Sequence, residues 1–270
     1  MILNIFSYKV NIMIREATAL DKKLVLQFCR DTFSWGDYVD QVWDFWLSEG
    51  NLLLFEKQFP VGICHAFFTQ DQIWIEGIRI DPNFRRQKIA STLVKHAESL
   101  GKQRRIQLSY MLIDTQNISS LSMANSLGYQ IFQTWNFYSL APQENSNFDI
   151  SFTKFLDNKT YPHYVKSWRW IPIDDHELSS LSEQNKIITS NVGDKNSIAI
   201  LTDSEHFANT LIVTLFSNSQ NGTLQILAFL QNFGKKKNYE RIQILTKDPL
   251  PIFNFLEKRI SFHLMKKFLT

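Results

Sequence analysis

Between residues 73 and 101 the chain runs from an apolar strand, Ile73–Ile80, through Asp81-Pro82-Asn83 into the basic stretch Arg85-Arg86-Gln87-Lys88, then into a helix closed by Gly101. This feature constrains the fold more than any other. Proline lacks a backbone donor and ends the strand. Leu93, Val94, Ala97 and Leu100 recur at helical spacing, so the helix has an apolar face that must be buried against a sheet. A glycine after the periodic run is a helix stop. A strand that feeds a helix in this way calls for an α/β or α+β arrangement. The start of such a helix also presents unpaired backbone N–H groups and the positive end of its dipole, a seat for a phosphate group.

The flanking pattern fits this frame. Met13–Glu16 reads as a strand, Thr18 as the cap of a helix carrying Leu24, Val25, Phe28 and Cys29, and Tyr38–Leu47 as a second, aromatic helix. Strands are expected at 52–55, 61–68, 73–80, 106–113 and 129–140, with a short helix over 117–127 closed by Gly128. The order β-α-α-β-β-β-α-β-α-β predicts a mixed, mostly antiparallel sheet with helices on both faces. Residues 1–12 read as an extension outside the fold, 13–141 as the first domain, 142–164 as a connector and 165–270 as a second α/β unit. That unit has the marks of a degenerate repeat. Leu93, Val94, Ala97, Leu100 and Gly101 align at constant offset with Ile226, Leu227, Leu230, Phe233 and Gly234, and Arg105-Ile106-Gln107-Leu108 matches Arg241-Ile242-Gln243-Ile244. Any helix–glycine–strand unit would produce part of that match. No counterpart of the basic loop precedes residue 223, which argues against a second catalytic site.

Composition excludes several classes. With 44% hydrophobic and 20% charged residues the chain is globular. A net charge of +3 falls short of the concentrated basic surface of a nucleic-acid binder, and Lys235-Lys236-Lys237 reads as the last turn of a helix. No stretch has the length of a membrane span, and the N-terminus lacks the pattern of a secretory signal. Cys29 and Cys64, the only cysteines, lie in apolar stretches; buried thiols and a cytoplasmic location are expected, and no zinc-type cysteine pair is present. The 22 phenylalanines, 8 tyrosines and 7 tryptophans suit a small-molecule pocket as well as a core.

Arg85-Arg86-Gln87-Lys88-Ile89-Ala90 resembles the acetyl-CoA loop of the GNAT superfamily of N-acetyltransferases, Arg/Gln-x-x-Gly-x-Gly/Ala, at its first and last positions. Asn117-x-x-Ser120-x-x-Met123 followed by Leu127-Gly128-Tyr129 is similar to that family's second signature, and the resemblance extends across most of residues 13–140. The resemblance implies the GNAT fold, acetyl-CoA as co-substrate and a primary amine as acceptor. It implies that the backbone of Ile78, Arg79 and Ile80 pairs with the pantetheine arm and that the Ile78 N–H polarises the thioester carbonyl. Arg85 and Arg86 would attract the pyrophosphate, amides of Gln87, Lys88, Ile89, Ala90 and Ser91 would hold it, and Asn117 and Ser120 would contact the thiol end. Two departures stand out. Lys88 replaces the first loop glycine, where helical dihedrals are open to a lysine. Ala124 replaces the usual tyrosine acid, so Tyr129, Tyr138 or water would protonate the thiolate.

The chemistry so implied is direct attack of a neutral amine on the thioester in a ternary complex, which needs a proton acceptor. Glu76 is the candidate, beside Gly77, a residue suited to a bulge; alternatively its carboxylate faces solvent or pairs with Arg79. Phe33, Trp35, Asp37 and Tyr38 border the acceptor region, with Asp37 available to a cationic amine, or else the aromatics anchor the helix pair. A narrower likeness to the histidine N-acetyltransferase-like branch rests on Gly36-Asp37-Tyr38, Phe45-Trp46-Leu47 and Glu76–Pro82, and implies a small amino acid as acceptor. There, the second unit with Trp168-Arg169-Trp170 would complete the pocket, unless those tryptophans are a packing pair. A peptide N-terminal acetyltransferase and a catalytically weak acyl-CoA-binding protein are the alternatives.

Overall fold

A computed structural model describes residues 13–30, 32, 36–192 and 195–269. The expected extension at 1–12 lies outside them. The first helical turn is shaped by Asp21, whose carboxylate accepts from both the Thr18 N–H and its hydroxyl at 2.8 Å and pairs with Arg15 at 2.8 Å. The elements follow as β1 (Met13–Glu16), α1 (Lys22–Cys29), α2 (Val39–Glu49), β2 (Leu52–Glu56), β3 (Pro60–Phe68), β4 (Gln72–Ile80), α3 (Ile89–Gln103), β5 (Leu108–Asp114), α4 (Ile118–Ser126) and β6 (Gln130–Leu140). Then come β7 (Ile150–Phe152), β8 (His163–Lys166), β9 (Arg169–Pro172), α5 (Asp175–Glu183), β10 (Ile187–Ser190), β11 (Ile198–Asp203), β12 (Thr210–Phe216), α6 (Gln220–Lys236), β13 (Arg241–Thr246) and β14 (Leu256–Phe268).

Two compact units emerge. The first comprises the described residues through Ile113, Asn117–Phe132 and those from Met265 onward; the second comprises Asp114–Gln116 and Gln133–Leu264. The division falls within β6, earlier than the boundary at 141 expected from sequence, and residues of the expected connector form the edge strand β7.

In the first unit β1, β2, β3 and β4 are antiparallel neighbours in that order, and β5 lies parallel to β4. Their alternation buries two faces. Leu53, Phe55, Val61, Ile73 and Ile75 pack with Ile89, Leu93, Val94 and Ala97 of α3 and Ala124 of α4. On the other face Leu52, Leu54 and Ile63 pack with Val25 and Cys29 of α1 and Val39, Val42, Trp43 and Trp46 of α2. Each fully buried large side chain contributes about 1.5–3 kcal/mol.

Gly101 does not end α3, contrary to the sequence expectation. The helix runs past it to Gln103. A Cβ at Gly101 would stand 2.2 Å from Ile73 Cδ1, so the glycine permits close approach of helix and strand. The stop is Arg105, at φ +63°, with the Ile106 N–H returning to the Gly101 carbonyl.

In the second unit β7, β10, β11 and β12 are antiparallel neighbours, β13 lies parallel to β12, and Asn136–Leu140 of β6 pairs with β13. The meander, the long helix α6 and the parallel strand repeat the order β2-β3-β4-α3-β5. Ile226, Leu227 and Leu230 of α6 are buried, and Gly234 lies against Ile242. The β8–β9 hairpin turns through Ser167 (φ +49°) and Trp168 (φ +65°), the left-handed pair that a two-residue hairpin loop requires. Trp170 packs edge-on against Trp135 at 5.2 Å, Trp168 packs against Phe137 and Phe262, and Arg169 is buried. These residues belong to the packing of the second unit.

Candidate active site

The pairing of β4 with β5 runs from Gln72↔Leu108 to Ile75↔Met111, while β4 continues to Ile80 and β5 to Asp114. Beyond that point the two parallel strands diverge, and the β4 edge at Gly77–Ile80 faces the opening. On its other edge β4 stays paired with β3, but the register shifts: Ile63 is opposite Arg79, and His65 is opposite Glu76. One extra residue is thus accommodated on β4, beside Gly77 at φ +65°.

After β4, a short 3-10 turn, Pro82–Phe84, is capped by Asp81, whose carboxylate accepts from the Asn83 N–H. Arg85, Arg86, Gln87 and Lys88 are exposed. The Arg85 guanidinium reaches back to the Ile80 carbonyl at 3.3 Å, and the Gln87 side chain accepts from Lys57 at 2.6 Å. Arg86 and Lys88 both adopt left-handed backbone, at φ +63° and +61°. The expectation that Lys88 would take right-handed helical dihedrals is therefore corrected: it keeps the conformation that a glycine would adopt without strain. Left-handed residues in such a loop turn successive N–H groups toward one point, an anion-binding concavity. Lys88 is the N-cap of α3 and makes no side-chain cap bond, which leaves the first-turn N–H groups of Ile89, Ala90 and Ser91 for a ligand. Asn117 is the N-cap of α4; its Oδ1 accepts from the Ser120 N–H and the Ser119 hydroxyl, at 3.1 and 3.0 Å.

Glu76 lies on the α1–α2 face of the sheet with its side chain 13% exposed. Its Oε1 is 2.9 Å from His65 Nδ1, and its Oε2 accepts from Trp74 Nε1 at 3.2 Å. Behind it, His65 Nε2 is 3.1 Å from the Gly50 carbonyl and 3.7 Å from Glu49 Oε2, and the Trp46 indole stacks on the imidazole at 5.1 Å. Glu49, His65 and Glu76 bring ligand-type atoms within 4.8 Å of one another, the one such trio among the described residues. Sequence reading missed His65, Glu49 and Trp74. The signal was present: the β3–β4 turn sets Phe68 opposite Ile73, and counting back three positions on each strand puts His65 opposite Glu76.

Arg79 pairs with Asp37, at 2.6 and 3.2 Å, not with Glu76. Asp37 also accepts from the Val39 N–H and is almost wholly buried, so its charge is committed to Arg79 and the helix start. Tyr38 lies beneath the same guanidinium, and burial pushes its hydroxyl up. Phe33 and Trp35 lie outside the described residues. Tyr129 is buried in the first unit, 2.6 Å from the Ser109 hydroxyl, and burial holds its phenol well above the ordinary value. Tyr138 is buried in the second unit, where its hydroxyl accepts from the Leu250 N–H. Ala124 faces the core with no exposed surface. Burial raises the Cys29 thiol to about 12 and the Cys64 thiol further. A separate cleft of about 280 Å³ opens between Leu24, Gln27 and Phe28 of α1 and the turn Asp81–Asn83.

Residues 22–129 match the model of the acetyltransferase (GNAT) family. Over that stretch the chain is similar to the GNAT acetyltransferases. The wider chain has the fold of solved GNAT structures. The GCN5-related N-acetyltransferase from Sphaerobacter thermophilus aligns with a TM-score of 0.65 at 10% identity, over 96% of this chain and 96% of that one. A Thermoplasma acidophilum structure assigned as an acetyltransferase aligns with a TM-score of 0.62 at 12% identity, over 95% of this chain and all of that one. The glucosamine N-acetyltransferase region of a fungal multi-domain β-N-acetylglucosaminidase aligns with a TM-score of 0.63 at 10% identity, over 96% of this chain and 38% of that one. No curated protein matches the chain by sequence. Acetyl transfer from acetyl-CoA is the chemistry of the GNAT family, so the acetyl-CoA-dependent N-acetyltransferase expected from sequence stands at that level. Among the described residues no helix is long and apolar enough to cross a membrane.

Proposed function

We propose that this protein transfers the acetyl group of acetyl-CoA to the primary amine of a small molecule, such as an amino acid or amino sugar. The observation that carries the reading is the opening of β4 from β5 directly before a loop of left-handed residues and an uncapped helix start. The exposed β4 edge suits the amide-bearing pantetheine arm, and the loop suits a pyrophosphate. Glu76 accepts the proton that the attacking amine must shed. The acetyl carbon bonds to nitrogen, the C–S bond breaks, and CoA leaves as a thiolate. Its proton comes from water, since the hydroxyls of Tyr129 and Tyr138 are bonded inside their cores. The aromatic setting of Tyr38, Trp46 and Trp74 around Glu76 favours a compact acceptor. The full-length likeness to a region named for glucosamine acetylation points the same way.

Purified protein, acetyl-CoA and a panel of small amines and peptides, followed by release of free thiol, test this. Small-amine turnover is expected; turnover with peptides alone would replace the reading by N-terminal acetylation of proteins. Ala124 at the usual acid position favours one second reading, an acyl-CoA-binding protein with little turnover. Tight CoA association without thiol release would establish it.

A further inference from the structure

Both ring nitrogens of the fully buried His65 are engaged. The Gly50 carbonyl oxygen, 3.1 Å from Nε2, can only accept, so Nε2 carries a proton. A neutral imidazole protonated there has a lone pair at Nδ1. Yet Nδ1 faces Glu76 Oε1 at 2.9 Å, and two lone pairs at that separation repel. A second proton must therefore lie between them. Trp74 Nε1 donates to the other Glu76 oxygen, which favours the carboxylate form of Glu76. The indole of Trp46, stacked at 5.1 Å and 14°, offers its electron-rich face to a cation, and Glu49 Oε2 lies 3.7 Å from Nε2.

We infer that His65 is an imidazolium bridging Glu76 and Glu49, a positioning residue that holds Glu76 as proton acceptor and, with Glu49, sets the charge balance of the cluster. This rests on the proposed acetyl transfer with Glu76 as base. With both carboxylates ionised the trio carries one net negative charge, and the proton shed by the attacking amine neutralises it. Without Glu49 the same uptake would leave a net positive charge in a buried site, at considerable cost. The other titratable groups facing the cluster stay out of the balance. Tyr38 and Cys64 are kept neutral by burial, and Arg79 is compensated by Asp37. The proton then leaves Glu76 for solvent, while CoA thiolate is protonated by water.

Nitrogen-15 NMR of the labelled full-length protein at neutral pH reads the ring directly, without substrate. Two protonated nitrogens are expected for one buried histidine. In Glu76→Gln the Nδ1 signal should turn to that of an unprotonated nitrogen, because the new amide donates to it, while Nε2 is unchanged. A wild-type ring with an unprotonated Nδ1 would overturn the inference. So would zinc bound tightly and stoichiometrically by the trio, because the metal would take a ring lone pair. In steady state, His65→Gln should lower kcat by roughly 10- to 100-fold through misplacement of Glu76, with KM for acetyl-CoA unchanged. A matching loss of CoA affinity would show a merely structural role. Glu49→Gln should move the acidic limb of the kcat/KM profile to lower pH, since a lost negative charge weakens the base, and an unmoved limb counts against its share. Should no amine be acetylated, the proposed function fails, while the NMR pattern still decides the protonation of His65.

Discussion

Replacing Gly77 by alanine probes the packing on which the acid–base cluster rests. Gly77 sits at φ +65°, where an L side chain is strained by about 1–2 kcal/mol. The added methyl would also stand 2.3 Å from Trp46 Cη2 and 2.6 Å from Cζ3, distances that real contacts do not reach. Trp46 has nowhere to retreat: it is fully buried among the residues of α1, α2 and β2, and its ring lies on His65. Overpacking of this kind costs about 1–3 kcal/mol. Together the two effects predict a loss of about 2–5 kcal/mol for Gly77→Ala, a large part of the stability of an ordinary domain. Urea unfolding followed by tryptophan fluorescence measures the loss, and near-UV circular dichroism reports displacement of the indole. A loss below about 0.5 kcal/mol, the size of a neutral surface change, would refute the reasoning.

Other substitutions test neighbouring features. Lys88→Gly should raise stability by up to about 1 kcal/mol in thermal melts, because it relieves a left-handed lysine; a fall would show that the lysine side chain is itself needed. Asp37→Asn strands the buried Arg79 guanidinium and should cost about 3–5 kcal/mol by denaturant titration. Asp21, beside Arg15, has its carboxyl lowered from 3.8 to about 2, so its contribution is complete above the ordinary value and fades as pH falls toward 2. Acid unfolding of the wild type should therefore steepen in that window, and Asp21→Asn should remove that component. Cys29 and Cys64, buried and held as thiols, should resist alkylation at neutral pH until the protein is unfolded; rapid labelling of the native state would contradict their burial.

Local signals in the sequence carried the frame of the first unit. Pro82 and Gly128 mark real ends, and the apolar stripe of α3 faces the sheet as its period requires. Glycine was ambiguous where its reason was spatial: Gly101 makes room for Ile73, a fact that depends on a strand twenty-eight residues earlier. Asp37 looked available for an amine because its partner, Arg79, is 42 positions away, and only the fold joins them. The same holds for Tyr129 and Tyr138, whose hydroxyls are engaged by distant groups. The edge strand β7 was read as linker because three residues between Asp149 and Thr153, shortly after Asn145-Ser146-Asn147, carry too little pattern to register.

The irregularity in β4 reaches further than its one residue. Ile73 and Ile75 point toward α3, and so do Ile78 and Ile80, although strict alternation from Ile75 would send 78 and 80 the other way. The extra position resets the phase, so that Glu76 and Arg79, three apart, can both address the α1–α2 side. Were β4 to run straight through with every residue kept and no bulge, its downstream half would be inverted: an isoleucine would be offered to Asp37, and a guanidinium would be driven among the aliphatic side chains beneath α3.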